Sequence, residues 1–199
     1  MTTRMHEDRL DAVYDQLLRA RATRVLDLGC GDGPLFLKLA TNPCFRELVG
    51  IDLSAEALDR LQRRLIAADL YDHERTRLIR TSFTESGAGL SGFDAALLVE
   101  TIEHIDPADL SLVEEAVFRC FRPATIIVTT PNVEFNDLLG VPRHRFRHPG
   151  HRFEWTRRKF RSWSAGVGRR TGYSSSFHDV GASHPLFGGP TQMAVFERA

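Results

Sequence analysis

The chain has 199 residues, 42% of them hydrophobic, which predicts one domain over residues 1–199 rather than two independent cores. Its 26 Lys and Arg balance its 26 Asp and Glu, so the chain as a whole is not a general binder of polyanions. Three cysteines without a CxxC pair argue against a disulfide framework or a thiolate zinc site. The sequence shows no signal peptide and no apolar run of membrane-spanning length, which predicts a soluble, cytoplasmic protein without a membrane partner.

The first part of the chain alternates segments of helical periodicity with short apolar runs. Apolar residues at helical spacing over residues 7–21 predict an amphipathic helix within a lead-in region of residues 1–22. Ser54 is a suitable N-cap for the helix that follows it. The predicted strands are 24–29, 47–52, 75–83 and 93–100, and the predicted helices are 33–41, 54–70 and 107–121.

The second part continues the alternation and ends with a pair of strands. A fifth strand over 124–131 stops at Pro131, and residues 132–155 lack a regular pattern. A helix over 156–168 begins behind a Thr156 cap, and two strands follow at 172–180 and 191–199. The pattern predicts an α/β fold: a mostly parallel, seven-stranded sheet with helices on both faces and a terminal antiparallel hairpin.

A glycine-rich turn follows the first predicted strand, in the segment LDLGCGDG. Gly29 and Gly31 lie where strand gives way to helix, so the backbone there can approach a ligand closely. Asp52 ends the second strand, 21 residues after Gly31, where a carboxylate can accept both hydroxyls of an adenosine ribose. The acidic neighbours Asp27 and Asp32 favour a ligand with ammonium and sulfonium groups over a dinucleotide pyrophosphate.

These two segments resemble the cofactor motifs of class I S-adenosylmethionine-dependent methyltransferases, over about residues 20–130. The resemblance implies a Rossmann-like class I methyltransferase fold with S-adenosyl-L-methionine as cofactor. A Rossmann dehydrogenase or an inactive scaffold is the alternative for the turn alone. The cofactor-binding residues that the resemblance implies are Asp27, Gly29 and Gly31 for the amino-acid end, Asp52 for the ribose, and Ser82 and Phe83 for the adenine.

The segment ETIEH, after the fourth predicted strand, holds a second candidate site. Glu100, Glu103 and His104 are spaced i, i+3 and i+4, so one helical turn would place them on one face, where they could share a divalent ion. His148 and His151 follow in a loop, broken by Pro and Gly, that can fold back over the same edge of the sheet. A mixed set of carboxylates and imidazoles suits Mg²⁺ or Mn²⁺.

Residues 132–163 form a predicted basic and aromatic insertion that binds metal and RNA. The part from 143 to 163 holds seven Arg and one Lys against a single Glu, a net charge of +7. Aromatic groups beside guanidinium groups are typical of nucleic-acid binding, although a charge run alone is more often a solvated face. Phe153 and Trp155 are candidates to stack on a terminal base, with buried packing as the alternative for Trp155.

Three segments, ETIEH, TTPNVEFN and HRFEWTRRKF, resemble the small-RNA 3′-terminal ribose 2′-O-methyltransferases, which include the plant microRNA and animal piRNA methylating enzymes and bacterial RNA-repair counterparts. The resemblance implies methyl transfer to the 2′-hydroxyl of the 3′-terminal ribose of small or cleaved RNA. It also implies one bound divalent metal. Our hypothesis is that this ion is Mg²⁺ or Mn²⁺ and that both hydroxyls of the terminal ribose bind to it. The implied metal ligands are Glu100, Glu103, His104 and His151, and His148 is a competing ligand or a base-like neighbour that completes the predicted catalytic set.

Two partners and two alternative functions follow from the same residues. The predicted partners are an RNA 3′ end and an RNA-repair or small-RNA-processing protein. The first alternative is an O-methyltransferase for a catechol or quinone precursor, which the +7 segment disfavours because a small neutral substrate does not need it. The second is a non-catalytic RNA-binding subunit that retains the fold.

Overall fold

A seven-stranded sheet organises the computed structural model, which describes residues 4–85 and 88–198. The strands are β1 (Arg24–Leu28), β2 (Glu47–Asp52), β3 (Thr76–Arg80), β4 (Ala95–Val99), β5 (Thr125–Pro131), β6 (Tyr173–Val180) and β7 (Thr191–Arg198). Their order is β3-β2-β1-β4-β5-β7-β6. The pairs from β3 to β5 are parallel, whereas β7 runs antiparallel to both β5 and β6. The predicted mostly parallel sheet with a terminal antiparallel hairpin is therefore confirmed.

The helices connect the strands over both faces of the sheet. They are α1 (Arg4–Arg19), α2 (Pro34–Ala40), α3 (Ala55–Ala67), α4 (Leu110–Val113) and α5 (Arg157–Thr171). Both predicted caps form, because the side chain of Ser54 accepts a hydrogen bond from the backbone N–H of Ala57 and that of Thr156 accepts one from Lys159. None of the helices in the described part of the chain combines the length and apolarity needed to cross a bilayer.

Side chains alternate along the central strands between two apolar layers. Ala96 and Leu98 of β4 face the layer that contains residues of α4 and α5, while Ala95 and Leu97 face the layer that contains residues of α1, α2 and α3. Both faces of the inner strands are thus covered, as expected for parallel strands that are apolar along their whole length. The carboxyl ends of the parallel strands β1, β2 and β4 lie at one edge of the sheet.

Three predicted elements differ from the structure. ETIEH does not form a turn of α-helix: residues Ile102–His104 form a single 3₁₀ turn, and Glu100 lies before it with a left-handed backbone, φ 52°. The helix predicted over 107–121 begins as a 3₁₀ turn and continues from α4 into a π-helix at Glu114–Phe121. The segment predicted to be irregular contains a 3₁₀ helix at Val133–Leu139, and the predicted ends at residues 1–3 and 199 lie outside the described residues.

Candidate functional site

The glycine turn after β1 is shaped for close backbone approach. Gly29 and Gly31 have positive φ angles of 81° and 56°, and the backbone N–H of Gly29 donates to the carbonyl of Ile51 at 2.8 Å. The N–H of Gly31 donates to Asp52 Oδ2 at 2.8 Å, and that of Ser54 donates to Asp52 Oδ1 at 2.8 Å. The Asp52 carboxylate is therefore fixed at the end of β2, directly beside the turn.

A cavity of about 590 Å³ lies at this edge of the sheet and joins the two candidate sites. Its walls include five of the six residues predicted to bind cofactor, and two of those predicted to bind metal, Glu100 and His104. The lining also contains apolar side chains that the sequence did not single out, among them Ile105 and Leu112. The five cofactor residues are Gly29, Gly31, Asp52, Ser82 and Phe83.

Asp27, the sixth predicted cofactor residue, does not line the cavity. It lies within β1 and is buried, with 4% of its surface exposed. Burial, and secondly the negative charge of Asp52, raise the pKa of Asp27 to about 7. This carboxyl group is placed beneath the glycine turn, so a ligand in the cavity would meet the turn before it meets Asp27.

Glu100 is held by groups from two other elements. Thr129 Oγ1 in β5 donates to Glu100 Oε1 at 3.1 Å, and Arg9 Nη1 in α1 lies 3.1 Å from Glu100 Oε2. Burial raises the pKa of Glu100, and the Arg9 guanidinium is the strongest influence in the opposite direction. The left-handed backbone of Glu100 turns its side chain into this pocket, which a regular helical turn would not do.

Glu103 is fully buried, with 0% of its surface exposed. Thr130 Oγ1 donates to Glu103 Oε2 at 3.1 Å, but Oε1 has no hydrogen-bond partner among residues 4–85 and 88–198. Burial, and secondly the charge of Glu100, raise the pKa of Glu103 well above its usual value. Two carboxylates that repel each other, one with a vacant buried oxygen, form a site that a cation would stabilise.

Three imidazoles meet next to the two glutamates. His104, His148 and His151 each offer one ring nitrogen, and these atoms lie within 4.8 Å of one another; in the described part of the chain they are the residues grouped closely enough to share an ion. The backbone N–H of Arg152 donates to the Glu103 carbonyl at 2.7 Å, which closes the histidine loop over the ETIEH turn. The structure therefore brings both downstream histidines to His104, whereas the predicted ligands Glu100 and Glu103 are not in this group of atoms within the described residues. The group contains both His148 and His151, so the choice between them as the ligand stays open.

The second ring nitrogens of these histidines have different partners. His104 Nδ1 lies 3.1 Å from the carbonyl oxygen of Gly150, and His151 Nδ1 lies 2.6 Å from Glu154 Oε1. An oxygen acceptor requires Nδ1 to carry the proton, which leaves Nε2 as a free lone pair. His148 Nδ1 instead accepts from the backbone N–H of Gly150 at 3.0 Å, so a neutral His148 carries its proton on Nε2.

The basic and aromatic insertion is partly structural. The guanidinium of Arg147 is turned inward, where it donates to Pro190 O at 2.7 Å and to Asn136 Oδ1 at 2.6 Å. Phe153 is buried and stacks on Trp155 with ring centroids 4.3 Å apart, so buried packing is the outcome for Phe153. The exposed cations of the insertion outside any described ion pair are Arg145, Arg152, Arg158, Lys159 and Arg161, and the exposed aromatic residue is Phe146.

Comparison with known proteins identifies the relatives of this chain. A protein family described as a methyltransferase domain matches residues 25–124. The crystal structure of the methyltransferase domain of the bacterial protein CtHen1-C is 38% identical, with a TM-score of 0.88 over 98% of this chain and 99% of that one. The chain belongs to the family of Hen1 methyltransferase domains. The Rattus norvegicus small RNA 2′-O-methyltransferase is 35% identical over 204 residues, covering 98% of this chain and 51% of that protein. The small RNA methyltransferase HEN1 of known structure is 30% identical, with a TM-score of 0.88 over 98% of this chain and 26% of that one.

The chain thus spans about half the length of the curated animal relatives it matches, such as those of rat and Mus musculus. The family resemblance that ETIEH, TTPNVEFN and HRFEWTRRKF indicated is confirmed. The shared part is the methyltransferase unit itself.

Sequence reasoning missed four residues of the site. Thr129 and Thr130 end the fifth strand at the same sheet edge, and that position was a usable signal. Glu154 lies three residues after His151, a spacing that could have indicated a partner for the ring. Arg9 lies in the lead-in helix, and no local pattern distinguishes it from other charged residues there.

Proposed function

We propose that this chain transfers the methyl group of S-adenosylmethionine to the 2′-hydroxyl of the 3′-terminal ribose of an RNA, with the help of one divalent cation. The single observation that carries the proposal is the shared cavity: the glycine turn and Asp52 form one part of its wall, and Glu100 and His104 form another. A donor held by the turn would direct its methyl group towards an acceptor held at the glutamates.

The cofactor half of the proposal depends on the turn and on Asp52. Each oxygen of Asp52 accepts one backbone N–H and keeps a lone pair with which it can accept a ribose hydroxyl. Ser82 and Phe83 border the same cavity and would contact the adenine. Asp27 would act on the ammonium group of the donor through the turn that covers it.

The cation half depends on the donor set. The vacant Oε1 of buried Glu103 and the free Nε2 atoms of His104 and His151 fit a divalent ion, and Glu100 adds the fourth protein ligand. His148 presents Nε2–H when neutral, so we propose it as a hydrogen-bond donor beside the ion rather than as a ligand. An ion bound there would act as a Lewis acid that makes a bound hydroxyl easier to deprotonate.

The residues of the chain supply orientation. Thr129 and Thr130 hold the two carboxylates by hydrogen bonds, and Ile105 and Leu112 add apolar groups to the cavity wall. A 3′-terminal ribose offers a vicinal diol, whereas an internal ribose has its 3′-oxygen esterified. Recognition of that diol would select an RNA end without reading its sequence.

RNA contacts would come from the exposed part of the insertion. Arg145 and Arg152 flank the histidines and are exposed, as required for contacts with backbone phosphates. Phe146, with 45% of its surface exposed, borders a second cavity of about 570 Å³ and could stack on a base. Binding carried by these cations should weaken as the salt concentration rises.

Methylation of short RNAs with matched 3′ ends tests the proposal. RNA with a free terminal diol should become resistant to periodate, while RNA ending in a 2′-deoxyribose or a 3′-phosphate should not accept methyl groups. Chelator should abolish transfer, and Mn²⁺ or Mg²⁺ should restore it. Equal methylation of the 3′-phosphate RNA would contradict terminal recognition, since that RNA keeps its 2′-hydroxyl but lacks the diol.

Two controls separate the alternatives. A catechol offered with the same donor should remain unmethylated; efficient transfer to it would favour the small-molecule alternative. RNA retention without transfer, unaffected by chelator, would favour the non-catalytic subunit. The cytoplasmic location, the single domain over residues 1–199 and an RNA-repair or small-RNA-processing protein partner stay predictions.

A further inference from the structure

We propose that Glu154 is a positioning residue, whose carboxylate holds the His151 ring in the tautomer that presents Nε2 to the imidazole cluster. The proposal rests on the proposed function for the role of the cation, but not for the tautomer itself. Glu154 was not among the residues that sequence reasoning selected, and it does not line the cavity.

The Glu154 carboxylate is completely enclosed and receives three hydrogen bonds. Its side chain has no exposed surface, and that of His151 is 7% exposed. Oε1 accepts from His151 Nδ1 at 2.6 Å and from the backbone N–H of Arg147 at 2.7 Å, while Oε2 accepts from Asn136 Nδ2 at 2.7 Å. Every partner donates, so the carboxylate acts purely as an acceptor and Nδ1 of His151 must carry the proton.

The Glu154 carboxylate has a charged neighbour but no direct bond to it. The Arg147 guanidinium bonds to Asn132, Asn136 and Pro190, and its charge acts on Glu154 without a direct contact. An enclosed carboxylate whose other donors are neutral amides carries a desolvation cost. The charge would strengthen His151 as a metal ligand, as carboxylates that contact metal-bound histidines do, and this role would account for the desolvation cost.

The neighbouring rings support this interpretation. Gly150 is the partner of both other imidazoles, with its carbonyl on His104 and its N–H on His148. Its position is tight, because a Cβ atom there would lie 3.0 Å from His148 Nδ1 and 3.2 Å from His104 Nδ1. Backbone groups thus set two of the three tautomers, and a side-chain carboxylate sets only that of His151.

The first experiment uses the unmodified protein without metal. Two-bond ¹H–¹⁵N correlation spectra of the histidine rings at pH 8, assigned with a His151→Gln sample, report which ring nitrogen is protonated. We expect His151 to show a protonated Nδ1 and an unprotonated Nε2. A protonated Nε2 on His151 would overturn the proposal, whatever the enzyme does with RNA.

The second experiment changes the charge while it preserves the hydrogen bonds. In Glu154→Gln alone, the new amide would face the Asn136 amide donor to donor; adding Asn136→Asp restores a complementary pair and leaves the net charge unchanged. The double variant should fold and keep a neutral carbonyl on His151. Its affinity for Mn²⁺, titrated by electron paramagnetic resonance, should fall about 10-fold or more, the usual effect of losing such a carboxylate.

Glu134→Gln is the matched control for the charge change. Glu134 belongs to the same insertion and pairs with Arg157 at 2.8 Å, and none of its described contacts is with a histidine. The Mn²⁺ affinity of Glu134→Gln should stay within about threefold of that of the unmodified protein, because substitutions at separate sites without shared partners act independently. Unchanged affinity in the double variant would overturn the role of the Glu154 charge. Failure of the unmodified protein to bind Mn²⁺ would instead overturn the cation in the proposed function, while the ring spectra would still decide the tautomer.

Discussion

Replacing Glu103 by Gln should stabilise the metal-free protein while it abolishes methyl transfer. The carboxylate is fully buried, its Oε1 has no partner among the described residues, and Glu100 repels it. Gln keeps the shape and can still accept the Thr130 hydrogen bond through its carbonyl oxygen. The change therefore removes an uncompensated buried charge and little else.

The size of the effect follows from the unpaired oxygen. A buried polar group without a partner costs about 1–3 kcal/mol, and a charged one costs more. The neutral amide retains part of that cost, so we expect a gain of about 1–2 kcal/mol, or about 2–8 °C in melting temperature for a domain of this size. The raised pKa of Glu103 determines how the stability changes with pH. The folded state keeps a proton that the unfolded chain loses, so the stability of the wild-type protein falls as the pH rises above 4.5, the usual pKa of a glutamate. The advantage of the variant should be absent near pH 4 and present at pH 8.

Thermal melts at pH 4.5 and pH 8, with chelator and with excess Mn²⁺, test the reasoning. In Mn²⁺ the order should reverse, because a ligand at 100 times its dissociation constant stabilises the wild-type protein by about 2.7 kcal/mol. Glu134→Gln serves as control and should not raise the melting temperature, since it removes a partly exposed ion pair with Arg157. A Glu103→Gln protein that melts below wild type in chelator at pH 8 would refute the idea of an uncompensated charge.

Three further predictions concern the cofactor turn, the buried carboxyl beneath it and the insertion. Asp27→Asn should stabilise the metal-free protein above pH 7, because burial raises the pKa of Asp27 to about 7. Urea unfolding of the wild-type protein should show a loss of stability between about pH 4 and 7, and this loss should be smaller in the variant. Gly29→Ala should destabilise the fold more than Gly31→Ala, because a Cβ at Gly29 would lie 2.7 Å from a threonine methyl group and one at Gly31 meets nothing within 4 Å. Calorimetry should also show that Gly29→Ala binds S-adenosylmethionine more weakly than Gly31→Ala does. Phe153→Ala should lower the free energy of unfolding in urea by about 3–5 kcal/mol. Phe146→Ala should change it by no more than about 0.5 kcal/mol but weaken RNA retention. A larger loss of stability in Phe146→Ala than in Phe153→Ala would contradict the assignment of Phe153 to the core and Phe146 to the surface.

The sheet could be predicted because its determinants are local. Apolar runs such as Ala95–Val99 and Thr125–Pro131 are too continuous for a surface helix, and glycine or proline marks where they end. The caps at Ser54 and Thr156 act within a few residues of their own position. The glycine turn was predictable for the same reason, because its backbone requirement and the distant Asp52 both occur at strand ends.

The details of the site depended on contacts between distant segments, which no local pattern contains. Arg9 reaches Glu100 across 91 positions of the chain, and its neighbours in α1 carry similar charges. Arg147 belongs to a strongly basic run, and only the folded loop shows that its guanidinium bonds to backbone carbonyls instead of facing solvent. The net charge of +7 therefore overstated the number of exposed cations in the insertion.

The backbone of Glu100 explains how the segment ETIEH brings two glutamates together without forming an α-helix. β4 pairs with β5 up to Val99 and Thr129, and the chain must then turn sharply to bring two side chains to one place. A non-glycine residue in the left-handed region costs about 1–2 kcal/mol, and Thr129 offsets that cost with hydrogen bonds to both the backbone N–H and the carboxylate of Glu100. Glycine at this position would relieve the strain but remove the carboxylate. A strained glutamate beside a buried glutamate with a vacant oxygen supports the proposal that both carboxylates bind a cation, because neither feature stabilises the fold.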